Sequence, residues 1–214
     1  MKIKLITAAF VLALNSQTLA ADSAEKLLNA IEAQNVTQID SLVRYGVDPN
    51  LNASIYNTTP LMHAVDTSSV DVVAKLITHG SKVDVVDNFG STPLIQSLKS
   101  NKADIASLLI KNSRNINFKD GKGVSAIHYA AKTGNEQLFV QVLQKGGNLR
   151  DVDSAGNNAL FYAIAGRNKQ IINNLIKMRY FDLSHKNASG ENAHTVAQRY
   201  GLRDIAQRFP RGRN

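Results

Sequence analysis

The sequence predicts an all-α solenoid of about six stacked helix–turn–helix units with β-turn fingers. Three columns of residues carry this prediction. Thr59, Thr92, Ser125, Asn158 and Asn192 recur at intervals of 33, 33, 33 and 34, and all are side chains that cap helix N-termini. Two residues ahead of the later four caps stand Gly90, Gly123, Gly156 and Gly190, with Asn57 in that column of the earliest copy. Three residues further back come Asp87, Asp120, Asp153 and Asn187. Each cap opens a short helix, and a second helix follows with apolar residues at i, i+1, i+4 and i+5.

Taken in order, the chain opens on a basic Met1-Lys2-Ile3-Lys4, an apolar run from Leu5 to Leu14, and Thr18-Leu19-Ala20. This is the layout of a secretory signal peptide over residues 1–20, of bacterial appearance, with cleavage expected after Ala20. The apolar run, about ten residues, is too short for a membrane anchor, and no membrane span is expected in the mature chain. Localisation is therefore expected to be periplasmic or secreted. The chain has no cysteine, so an exported form would rely on packing alone. The triplets at Asn35, Asn52, Asn57 and Asn187 would matter only in a eukaryotic secretory route.

Residues 22–46 predict a helix pair without a finger, marked by Leu27, Leu28, Ala30 and Ile31, then Ile39, Leu42 and Val43. Asp22 and Glu25 are spaced for a capping box. The stretch Asp87 to Leu94 shows the full device: Asp and Gly for a tight reversal, Thr92 as cap, Pro93 at the first helical position. Second helices carry Val72, Val73, Leu76 and Ile77; Ile105, Ala106, Leu109 and Ile110; Leu138, Phe139, Val142 and Leu143; Ile171, Ile172, Leu175 and Ile176. Gly46, Gly80, Asn112 and Gly146 are expected to close second helices in the left-handed conformation. The last helix, around Leu202 to Phe209, is short and Arg-rich, as suits a capping repeat. The expected repeats are 22–53, 54–86, 87–119, 120–152, 153–186 and 187–209, one domain over 21–209 with a basic tail at 210–214.

Thr59-Pro60-Leu61-Met62-His63-Ala64, Thr92-Pro93-Leu94 and Ser125-Ala126-Ile127-His128-Tyr129-Ala130-Ala131 resemble the ankyrin-repeat signature T-P-L-H-x-A-A, and Asp120-Gly121-Lys122-Gly123 resembles the finger of that family. The resemblance implies protein–protein recognition by finger tips and the ends of first helices. Carried over column by column, the partner-binding candidates include Ile55, Tyr56, Asp66, Asn88, Phe89, Lys99, Lys122, Lys132, Arg199 and Tyr200. Tyr56 and Phe89 occupy equivalent tips. Ser154, Ala155, Ala165 and Gly166 are expected to leave a shallow gap in the fifth repeat. Exported ankyrin proteins of bacteria imply two kinds of partner, a periplasmic stress-defence enzyme or a toxic effector to be neutralised.

Other motifs read as scaffold. Gly121 to Ala126 fits G-x-G-x-x-A, but no buried strand precedes it, so no dinucleotide is expected. His63 and His128 fall at or beside the signature histidine and are expected to tie turns together; His79 sits at a helix C-terminus, where a cation is favoured. His185 and His194 form no H-E-x-x-H pattern, and no nucleophile–base set stands outside the repeat columns. No enzyme activity, cofactor or metal is expected. Residues 21–117 hold 8 basic and 10 acidic residues, whereas 118–214 hold 15 and 7. The basic half offers an alternative function, binding of an acidic envelope ligand or glycan. Nucleic acid is not expected, because the arginines are not interleaved with aromatics. A monomer binding one protein partner is the leading expectation.

Overall fold

A computed structural model describes residues 22–178 and 182–210. The expected signal peptide and most of the basic tail lie outside the described residues. Those described divide into two compact units between Lys82 and Val83.

The N-terminal unit contains α1 (22–32), α2 (Val36–Arg44), α3 (Pro60–Thr67) and α4 (Val70–Thr78). Asp22 occupies the first turn of α1 and takes Lys26 Nζ at 2.6 Å, rather than the N-cap position a capping box requires. Helix α4 packs against both α2 and α3. Asp40 on α2 accepts from Lys75 Nζ at 3.2 Å and from His79 Nε2 at 3.0 Å, tying the two repeats together.

The C-terminal unit holds four helix pairs: α5 (Pro93–Lys99) with α6 (Ala103–Asn112), α7 (Ala126–Thr133) with α8 (Glu136–Gln144), α9 (Ala159–Ala165) with α10 (Lys169–Lys177), and α11 (Ala193–Arg199) with α12 (Arg203–Ala206). First helices stack in the order α5, α7, α9, α11, and second helices in the order α6, α8, α10. Segments of 4 to 10 residues are too short to persist alone in water, so stacking supplies their stability. Small residues at the first-helix contacts, Ala126, Ala130, Ala131, Ala159 and Ala163, are fully buried and let neighbouring backbones approach. Among the described residues there are twelve helices and no strand, only isolated bridges Lys119↔Ser125 and Lys186↔Asn192 across two finger bases. The all-α repeat fold is thus as the spacing predicts.

Capping explains where each first helix begins. Thr59 Oγ1 accepts from the Met62 N–H at 3.4 Å, Thr92 Oγ1 from Ile95 at 3.1 Å, and Asn192 Oδ1 from Thr195 at 3.0 Å. Asn158 Oδ1 serves both Leu160 and Phe161. Pro60 and Pro93 stand in the first turn, where the missing N–H has no partner to lose. Asn57 takes φ +58°, so it does replace the finger glycine.

Two further expectations need correction. Asn112 does not end α6 in a left-handed turn; it is the last helical residue, and its side chain bonds back to the Leu108 carbonyl. The carboxylate of Asp84 closes this helix instead, accepting from Ser113 Oγ, the Arg114 N–H and the Asn115 N–H at 2.5, 2.6 and 3.1 Å. Gly166 leaves no gap either. A Cβ there would collide with the Lys132 carbonyl oxygen and the Asn168 side chain, so backbone of the preceding repeat already fills that space.

Candidate protein-binding face

Each finger of the C-terminal unit is built around one acidic or amide side chain. Asp87 Oδ1 accepts the N–H groups of Phe89 and Ser91, both at 2.8 Å. Asp120 repeats this with Lys122 and Val124, Asp153 with Ala155 and Asn157, and Asn187 with Ser189 and Glu191. In the other unit Ser54 Oγ holds the Tyr56 N–H at 3.1 Å. Because the turn's donors are satisfied internally, the tip side chains are left to point outward. Phe89 is 61% exposed, Tyr56 51% and Ile55 86%.

The fingers of the C-terminal unit are also bonded to one another. Gly121 donates its N–H to the Phe89 carbonyl at 2.7 Å, Ser154 to that of Lys122 at 2.9 Å, and Ala188 to that of Ala155 at 2.9 Å. These are backbone bonds, so the row of tips is held without help from tip side chains.

Two fingers are locked further from behind. Tyr129 donates its hydroxyl to Asp120 Oδ2 at 2.7 Å, and Tyr162 to Asp153 Oδ2 at 2.8 Å. Burial pushes both phenols upward and the adjacent carboxylates push them further, so both stay protonated. Burial opposes ionisation of Asp120 as well. The Tyr129 hydroxyl and two N–H groups outweigh it, and the acid settles below the ordinary 3.8. We predict that Tyr129→Phe lowers stability by about 1.5–3 kcal/mol, the scale for one hydrogen bond to a charged group; urea unfolding followed by circular dichroism measures this.

Four of the candidates meet in one open cleft of about 650 Å3, lined by Asn88, Phe89, Ser91, Lys99, Lys122, Asp120 and Tyr129 with Gly90 and Gly121. Lys99 Nζ stands 5.8 Å from the centre of the Tyr129 ring. Lys99 and Tyr129 also border an adjoining cleft of about 410 Å3 that includes Leu98, Asn101, Lys132 and Thr133. Sequence reasoning left Tyr129 out of the candidates. The signal was there: it lies nine residues after the finger aspartate, and Tyr162 repeats the offset.

The remaining candidates are placed elsewhere. Ile55, Tyr56 and Asp66 belong to the N-terminal unit and are exposed. Arg199 is ion-paired with Glu191 at 3.1 Å and lies 5.6 Å from the Tyr200 ring, beside a cleft of only about 90 Å3. A larger cleft of about 770 Å3, lined in part by Leu143, Asn148, Val152 and His185, follows the second-helix ends; His185 Nε2 there bonds the Gly156 carbonyl at 2.7 Å. Among the described residues no cluster of three His, Asp or Glu is placed to hold a metal, and no helix is long and apolar enough to cross a membrane.

The sequence profile of ankyrin repeats, three copies long, matches residues 27–120, 107–187 and 127–209. The chain belongs to the ankyrin-repeat family. Ankyrin repeats are generic protein–protein interaction modules and typically have no catalytic role. A comparison with curated proteins finds no match. Within the ankyrin pattern His128 is the signature histidine and is fully buried, with Nδ1 accepting the Ser125 N–H and Nε2 donating to the Asp151 carbonyl, each at 3.1 Å. His63 lies one position on and reaches Glu32 at 3.0 Å. Both therefore tie neighbouring segments together.

Proposed function

We propose that the protein is an exported ankyrin-repeat binder of the bacterial envelope, acting as a monomer over residues 21–209. It captures a protein partner through the finger-and-first-helix face. The observation that carries this reading is the cleft where exposed Phe89 meets Lys99, Lys122 and Tyr129 on a prebuilt backbone. Exposed aromatics beside long cationic side chains have the composition of interface hot spots. A site ordered before binding adds little entropic cost to association. The export reading rests on the basic, apolar and small-residue layout of residues 1–20. It points to a partner outside the cytoplasm, either a stress-defence enzyme or a toxic effector held inactive.

Phe89→Ala tests this cleft, and Tyr56→Ala tests the exposed finger of the N-terminal unit separately. Each is expected to leave the circular dichroism spectrum and melting temperature unchanged, since both rings are largely exposed. Capture of the partner from an envelope fraction should weaken about tenfold or more in the Phe89 variant, as for a central aromatic contact. Undiminished capture by both variants would show the anchor lies elsewhere. Sequencing the N-terminus of the mature protein tests export; a chain retaining Met1 overturns it.

A further inference from the structure

Some cations of the described residues sit on a carboxylate. Lys26 pairs with Asp22, Arg44 and Lys75 with Asp40, Lys119 with Asp151, Lys169 with Asp204 and Arg199 with Glu191. Lys99, Lys122 and Lys132 are exposed and make no salt bridge to a described carboxylate. All three lie along the two clefts that share Lys99 and Tyr129. Asp120 is the acidic residue in this groove, and its oxygens are taken by the Lys122 and Val124 N–H groups and the Tyr129 hydroxyl. The groove thus carries three lysines against the single carboxylate of Asp120, an excess of positive charge.

Apolar surface interrupts that charge. Phe89 stands at one end and Tyr129 at the shared middle. An extended peptide presents alternate side chains to one surface, so it can match charge and apolar contact in turn. A uniformly charged polymer cannot, because it has no apolar side chain to set against Phe89. From this alternation we infer that the groove takes an extended acidic segment of the partner protein, with an apolar side chain against Phe89 and carboxylates at Lys99, Lys122 and Lys132. The inference rests on reading the chain as a protein-binding module.

A random peptide library displayed on phage, selected on the intact protein, tests the inference without knowledge of the partner. Enriched peptides should carry more Asp and Glu than the starting library, around an aliphatic or aromatic residue. A synthetic copy of the most enriched peptide should bind about tenfold more weakly to Phe89→Ala and to Lys122→Glu. Selection on the double variant Lys99→Glu with Lys122→Glu should turn the preference towards basic peptides. Enrichment of neutral or basic peptides by the native groove overturns the inference, and so does failure to enrich any. If those neutral peptides still depend on Phe89, the protein-binding reading survives while the acidic segment does not. An oligogalacturonate that binds with steep salt dependence and no sensitivity to Phe89→Ala would overturn both.

Discussion

His128→Ala should lower the stability of the C-terminal unit by about 3 kcal/mol, more than any change at an exposed finger tip. The ring is fully buried and lies 5.0 Å, centre to centre, from Tyr162 of the next repeat. Its removal leaves a cavity, an unpartnered Ser125 N–H and an unpartnered Asp151 carbonyl at once. Urea unfolding followed by circular dichroism measures the loss; a cost under about 1 kcal/mol would place the ring among dispensable packing. The same residue predicts a pH dependence. Nδ1 accepts an N–H and Nε2 must donate, so the folded state holds the neutral imidazole. Burial drives its pKa below the ordinary 6.5, against a weaker pull upward from the Asp151 carbonyl. The unfolded chain then takes up a proton that the folded chain refuses. Stability contributed by this group is complete above pH 6.5 and falls as the pH drops below it. His128→Ala should flatten that decline between about pH 7 and pH 5; parallel curves for the two proteins would exclude the histidine as its source.

Gly123→Val is expected to cost about 3 kcal/mol, and Gly190→Val about half of that. The two glycines share a φ of +74°, so the backbone strain on a β-branched residue is the same in both. They differ in surroundings. A Cβ on Gly123 would lie 2.9 Å from the Ser154 N and 3.1 Å from Ser154 Oγ, whereas nothing stands within 4 Å of one on Gly190. The difference between the variants is therefore the cost of forcing two fingers apart at the bond from Ser154 to the Lys122 carbonyl. Faster hydrogen exchange at the Ser154 amide in Gly123→Val, but not in Gly190→Val, is the local signature. Equal costs for the two substitutions would mean the finger-to-finger bond contributes little.

What the sequence disclosed follows from the range of each interaction. Caps at Thr59, Thr92, Asn158 and Asn192 act on N–H groups two or three residues away, so a local pattern at a fixed period was enough to find them. The end of α6 was misread because its terminator, Asp84, lies about thirty residues upstream. Asn50 and Asn117 play related parts, bonding the Gly80 and Gly146 carbonyls, but the spacing from 50 to 84 to 117 slips by one residue and hides the column. Gly166 looked like open space because what fills it is backbone, and backbone has no letter in the sequence. Among the site candidates, Asn88, Phe89, Lys99 and Lys122 were legible as finger and helix-end positions that converge. Tyr129 escaped because the bond that sets it beside the finger, to Asp120, is made by the fold rather than marked by the repeat signature. The ion pair on Arg199 was illegible too, since its partner Glu191 could be identified only by the fold.

The backbone bonds that join the finger tips separate two kinds of inheritance. Phe89, Lys122 and Ala155 contribute their carbonyl oxygens to the row, and Gly121, Ser154 and Ala188 their N–H groups. Side chains at the tips take no part in this, so a phenylalanine, a lysine and an alanine can occupy related places on one frame. Substitution there changes what the surface meets while the repeat continues to fold. A lineage carrying this chain can therefore acquire a new partner one tip at a time, without passing through an unfolded ancestor.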